Sequence, residues 1–258
     1  MSKIQMYCDK LRNMIDWDDF LLENSGLPGP RGNLELMMAV VQEGDKELFD
    51  RYLAYSEPLA PRNSPGEFLA MCGTVGYGRL IAEGHHQFLP ILRISASDGR
   101  WRVREAAAIA YQIIGEHDFK MLLNEAIILK EGNPMEKRAA AAAICEPKLL
   151  KNANDADRVL KIMDDLTEWL ADNVHLRKTD EYQVLRKGLA YGWSVVVAAF
   201  PREGKPSLEK WLENSSPDIR WVMKENLKKK RLLKIDPLWV EKCSEKLNDK
   251  WSNINEKK

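Results

Sequence analysis

The clearest alternation of apolar and polar positions lies in residues 98–116, DGRWRVREAAAIAYQIIGE. Val103, Ala106, Ala107, Ala110, Ile113 and Ile114 recur at helical spacing and share one face. Three of the six are alanines, which let a neighbouring backbone approach closely. Arg102 and Arg104 fall in the first turn, off that face. A shorter apolar helix over 88–94 leads in across a polar turn at 95–99. One helix pair of this kind cannot bury both of its apolar faces, so it requires similar neighbours.

The chain supplies them. Residues 3–23 read as one helix with Leu11, Ile15, Phe20, Leu21 and Leu22 inward, stopped by the Pro- and Gly-dense turn at 25–32. Short helices over 34–41 and 48–55 are separated at Gly44-Asp45. The helix over 67–82 buries Phe68, Met71, Cys72, Val75, Leu80 and Ile81. Its glycines at 73, 76 and 78 have the order GxxGxG, which is neither a dinucleotide fingerprint nor a phosphate loop and suits close helix packing. Trp101-Arg-Val-Arg-Glu-Ala-Ala107 is answered by Pro134-Met-Glu-Lys-Arg-Ala-Ala140 and by Pro217-Asp-Ile-Arg220. The basic residues Arg104, Lys137 and Arg220 align, with Arg186 a looser match, at intervals of 33, 49 and 34. Two of these intervals have the period of stacked helix pairs. A longer helix over 155–174, with Val159, Met163, Leu166, Trp169 and Leu170 inward, fills the third. The run 185–197 continues the helical pattern, and 220–234 reads as one more helix. A last helix opens at Asp236-Pro237 and carries Trp239, Cys243, Leu247 and Trp251, a terminal cap with one apolar face. No segment alternates as a strand would, so the expected class is all-α.

These motifs resemble HEAT repeats of the short PBS-lyase-like type, over about residues 85–233. The stretches 27–36 and 220–230 are also similar to uncharacterised bacterial HEAT-repeat proteins. The resemblance implies a right-handed α-solenoid of stacked helix pairs over 1–258, with second helices lining a concave side. Residues 1–84 would form divergent N-terminal helices and 236–258 the capping helix. More distantly, the chain looks like the HEAT-like DNA alkylation-repair glycosylases, although no catalytic motif can be carried over position by position. Such scaffolds host many functions.

Composition narrows the options. The 258 residues hold 39 Lys plus Arg and 39 Asp plus Glu. Zero net charge argues against a protein whose whole surface coats nucleic acid or acidic membrane. Cys8, Cys72, Cys145 and Cys243 are far apart with no CxxC. No signal-like stretch opens the chain and no span-length apolar run occurs, so a cytoplasmic, reducing setting without membrane partners is expected. His85, His86, His117 and His175 lack zinc-ligand spacing, and no nucleophile arrangement is visible; neither a metal nor a cofactor is expected.

Two sets of cations stand out. Arg220, Lys224, Lys228 and Arg231 would form one stripe on a continuous helix, beside Trp221. They read either as a groove for an anionic partner or as cations gathered near a helix C-terminus by its dipole. Arg104, Lys137, Arg186 and Arg220 would repeat along one edge of the stack. They would form a positive ridge, or each would tie down a carboxylate or carbonyl in its own repeat, as Arg104 with Asp98. Trp101, Trp193 and Trp221 are placed for stacking or for burial between repeats. The candidate partner-binding set is therefore Arg104, Lys137, Arg186, Arg220, Trp221, Lys224, Lys228 and Arg231. The first functional expectation is a non-enzymatic scaffold holding a protein partner on its concave face. The alternative is a nucleic-acid-binding module or DNA glycosylase acting through residues 220–234.

Overall fold

Two long helices, one over residues 65–82 and one over 180–199, each bury an extended apolar face at the centre of their own unit. The computed structural model describes the backbone of residues 1–255 and the side chains of residues 1–248. All regular structure among the described residues is helical, and no described helix is long and apolar enough to cross a membrane. The chain divides into two compact units, residues 1–121 and 122–258.

The first unit contains α1 (Lys3–Arg12), α2 (Asp18–Asn24), α3 (Leu34–Glu43), α4 (Lys46–Leu53), α5 (Pro65–Ala82), α6 (Leu89–Ala96) and α7 (Trp101–His117). Helix starts are set locally. Ser2, Asn33 and Asp45 accept backbone N–H groups of α1, α3 and α4 through their side chains, and Pro65 opens α5. Helix α5 is buried along nearly its whole length, with α2, α3, α4 and α7 around it. Its glycines make that possible. A Cβ on Gly76 would collide with the Phe49 ring, and one on Gly78 would stand 2.6 Å from Ala110 Cα of α7. The expected close approach therefore joins α5 and α7 backbone to backbone.

Helix α8 (Phe119–Leu129) carries the chain into the second unit. There follow α9 (Pro134–Ile144), α10 (Ala156–Asp172), α11 (Asp180–Ala199), α12 (Pro201–Leu212), α13 (Pro217–Leu227), α14 (Lys230–Ile235) and α15 (Pro237–Asn255). Asn133 and Thr179 cap α9 and α11, and prolines open α9, α12 and α13. Helix α11 is the hub, touching α9, α10, α12, α13 and α14. It buries Tyr182, Leu185, Leu189, Trp193 and Val195 to Val197. The Trp193 indole N–H donates to Thr167 Oγ1 at 2.9 Å, so this ring is a core residue rather than a stacking platform.

Trp101, Pro134 and Pro217 each open a helix, as their motifs predict, whereas Arg186 stands in the second turn of α11. Four expectations need correction. The N-terminal helix is broken at 13–17. There the Trp17 indole bonds Leu11 O and Asp16 accepts the Asp18 N–H, and the turn throws Ile15 out to full exposure. Arg102 and Arg104 are buried, because α7 is enclosed on more than one face. Ile113 is only half-buried. The helix over 220–234 ends at Leu227 and restarts at Lys230. Just before the break, buried Asn226 donates through its amide to Leu189 O and Val222 O and accepts from Ser194 N, which fastens the end of α13 to α11. The Trp251 side chain lies outside the described residues.

Candidate functional site

The proposed ridge residues part company once their hydrogen bonds are traced. Arg104 Nη1 donates to Asp98 O at 2.6 Å and Gly99 O at 2.9 Å. Lys137 Nζ donates to Lys130 O and, at 2.9 Å, to Gly132 O. Each cation thus reaches back to carbonyls in the turn before its own helix. Both are buried, and burial lowers the Lys137 pKa below its ordinary value. The expected Arg104–Asp98 pairing is made to the carbonyl. The Asp98 carboxylate goes instead to Arg100, through Nε at 2.9 Å and Nη2 at 2.8 Å. Burial alone would raise that carboxyl, but the hydrogen bonds from Arg100 and the charge of Arg104 hold it below its ordinary value. Arg104 and Lys137 therefore tie the turns before their own helices.

Four of the remaining candidates meet in the second unit. Arg186, Arg220, Trp221 and Lys224 line one recess of about 280 Å³, closed by Pro217, Leu247 and Asn248. Helix α13 places Arg220, Trp221 and Lys224, while α11 brings Arg186 across. The Arg186 guanidinium lies 3.7 Å from the Trp221 ring centroid, and its Nε stands 2.8 Å from Asp218 Oδ1. Asp218 is buried in the first turn of α13 and also pairs with Arg177 at 2.9 Å. The Tyr182 hydroxyl lies 3.2 Å from it; burial and then the Asp218 charge push that phenol up to about 12. Burial lowers the pKa of Arg186, the Asp218 charge opposing it. Arg220 is almost wholly buried and donates to Leu247 O, joining α13 to α15. Lys224 is exposed and pairs with no carboxylate among the described residues. The recess thus offers an indole edge, an aliphatic wall and cations, with the adjacent Asp218 carboxylate already held by two arginines.

Lys228 and Arg231 stand apart from it. Lys228 pairs with Glu225, and Arg231 donates to the Tyr191 hydroxyl at 2.7 Å with its guanidinium 4.5 Å over that ring. Lys229 Nζ lies 6.0 Å from the same ring, and Tyr191 is 46% exposed. The single stripe is therefore two clusters, divided by the helix break. Trp101 is 42% exposed with the Arg102 guanidinium 4.5 Å over it. Sequence reading missed Asp218 as the organiser of the recess. Its partners lie 41 and 32 residues earlier, and only folding brings them together.

The four cysteines are buried and unpaired. No group of three or more metal-ligating side chains occurs among the described residues. No family model matches the chain, nor does any curated protein or solved structure.

Proposed function

We propose that the chain is a non-enzymatic scaffold of stacked, HEAT-like helix pairs that binds a protein partner through the Arg186–Trp221–Lys224 recess. One observation carries this reading: four of the eight sequence-selected residues converge on a single recess combining an aromatic wall with cations. Such a recess suits an acidic side chain flanked by apolar ones, since aromatic and arginine anchors dominate protein contacts. Support for the repeat architecture comes from Arg104 and Lys137. They occupy matching motif positions and make matching bonds to the preceding turn. Asp218 is committed to Arg177 and Arg186, which makes it a positioning carboxylate rather than a base.

The test is affinity capture from a nuclease-treated lysate with the wild type and with Trp221→Ala/Lys224→Glu. A stoichiometric protein retained by the first and lost by the second supports the reading. No partner, or equal retention by both, overturns it. The second cluster, exposed Tyr191 between Lys229 and Arg231, favours nucleic acid as an alternative ligand. Under that alternative, duplex binding weakens steeply with salt and Lys228→Glu/Arg231→Glu abolishes it. Absent or salt-insensitive binding removes it.

A further inference from the structure

The zero net charge hides a division. Residues 1–121 hold 17 acidic and 13 basic side chains, and residues 122–258 hold 22 and 26, so the two units carry formal charges of −4 and +4. Each unit also exposes apolar residues inside its own charged field. In the first, a recess of about 550 Å³ is lined by Met14, Ile15, Glu43, Asp45, Glu47 and Leu48, with one cation, Arg51, that pairs with Asp18 at 2.9 Å. Ile15 is fully exposed there, and residues 9–51 around it contain ten acidic and five basic side chains. Glu43 is taken by Arg12 and Asp45 caps α4, but exposed Glu47 has no cationic partner among the described residues. In the second unit, segment 228–238 reads KKKRLLKIDPL. Leu233, Ile235 and Leu238 are exposed, and so are Lys228, Lys230 and Lys234. Its one acid, Asp236, is held by Lys205 at 2.7 Å. Clustered exposed apolar groups on a folded surface mark a contact with something.

We infer that segment 228–238 of one copy docks in the acidic recess of a second copy. The two surfaces complement each other in charge and in apolar character at once. The recess offers carboxylates around an apolar floor, and the segment offers ammonium groups around apolar tips. The two unit charges are equal and opposite, so each contact relieves an excess of charge on both sides. The contact joins unlike surfaces, which permits a reciprocal dimer or continued addition. It uses neither Arg186 nor Trp221 and stands apart from the partner-binding reading.

Sedimentation of the full chain against concentration and salt tests this. At low salt the mass rises with concentration above the 29.6 kDa of a single chain. It returns to that value near about 1 M salt, where charges are screened beyond ~3 Å. Glu47→Lys and Lys230→Glu/Lys234→Glu are each monomeric, with unchanged circular dichroism. An equimolar mixture of the two associates again, because each reversed surface now complements the other. A wild type that stays monomeric throughout overturns the inference, as does association that survives either reversal. Folded variants that fail to recover on mixing overturn it too. Binding of an unrelated basic peptide by a monomeric wild type assigns the recess to another occupant. Should a variant unfold, the concentration and salt dependence of the wild type decides alone.

Discussion

Each unit contains an arginine that pairs with a buried carboxylate and lies over an indole, and the two fare differently. In the first unit Arg102 pairs with Glu67 at 3.3 Å and covers Trp101. In the second Arg186 pairs with Asp218 at 2.8 Å and covers Trp221. Over Arg102 lies the Pro- and Gly-rich turn, whose Gly29 carbonyl accepts from Nη2 at 2.5 Å, and the Glu67–Arg102 pair is sealed. Among the described residues no such turn closes over Arg186, which lines an open recess. Chemistry alone does not separate sealed cations from open ones; the loop above them does.

This comparison can be broken, beginning with the largest effect. Arg102→Met leaves Glu67 buried without its cation and should cost about 3–5 kcal/mol. Arg186→Met should cost clearly less, because Arg177 still holds Asp218. Equal losses in urea unfolding would erase the distinction. Gly78→Ala forces α5 off the α7 backbone and should cost about 3 kcal/mol. Gly188→Ala in α11 meets only the Arg138 Cγ at 3.4 Å and should stabilise by about 0.5 kcal/mol through helix propensity. Arg104→Ala and Lys137→Ala should resemble each other, near about 2 kcal/mol apiece for two charged hydrogen bonds. A large disparity would deny that they are equivalent.

Acid titration separates two buried carboxyls, one from each unit, by sign. The Asp98 carboxyl lies below its ordinary 3.8, so its contribution is present above that pH and lost as pH falls through the folded value. The Asp164 carboxyl is raised above 3.8 by burial, despite the Trp211 indole bonded to it at 2.7 Å. Its contribution is full below 3.8 and lost as pH rises through the folded value. Melting curves across the acid range should therefore show Asp98→Asn flattening the acid loss and Asp164→Asn relieving a cost near neutrality. The same sign for both would contradict these environments. Smallest of all, Lys224→Met should change stability by under about 0.5 kcal/mol. A larger loss would mean that Lys224 is structural and the recess is not free for a partner.

Much of this was readable beforehand. The helical class, the openings at Trp101, Pro134 and Pro217, and the close-packing glycines of α5 follow from spacing and local sterics. The carbonyl ties of Arg104 are one of the two readings that its place beside a turn allows. Ile15 was misplaced because a local turn held by Trp17 and Asp16 outweighed its helical register. The stripe over 220–234 is not continuous because the helix stops at Leu227, beside an Asn226 amide bonded to distant backbone groups of α11, and restarts at Lys230.

Periodicity, caps and glycine placement depend on neighbours within a few residues, so the sequence alone determined where helices form and which faces are apolar. Whether a cation is sealed or open depends on groups 30 to 70 residues away. Glu67 and Gly29 enclose Arg102, and Asp218 with Trp221 frames Arg186. Only the tertiary structure decided that, because the free energy of a charge is set by what surrounds it rather than by what precedes it along the chain.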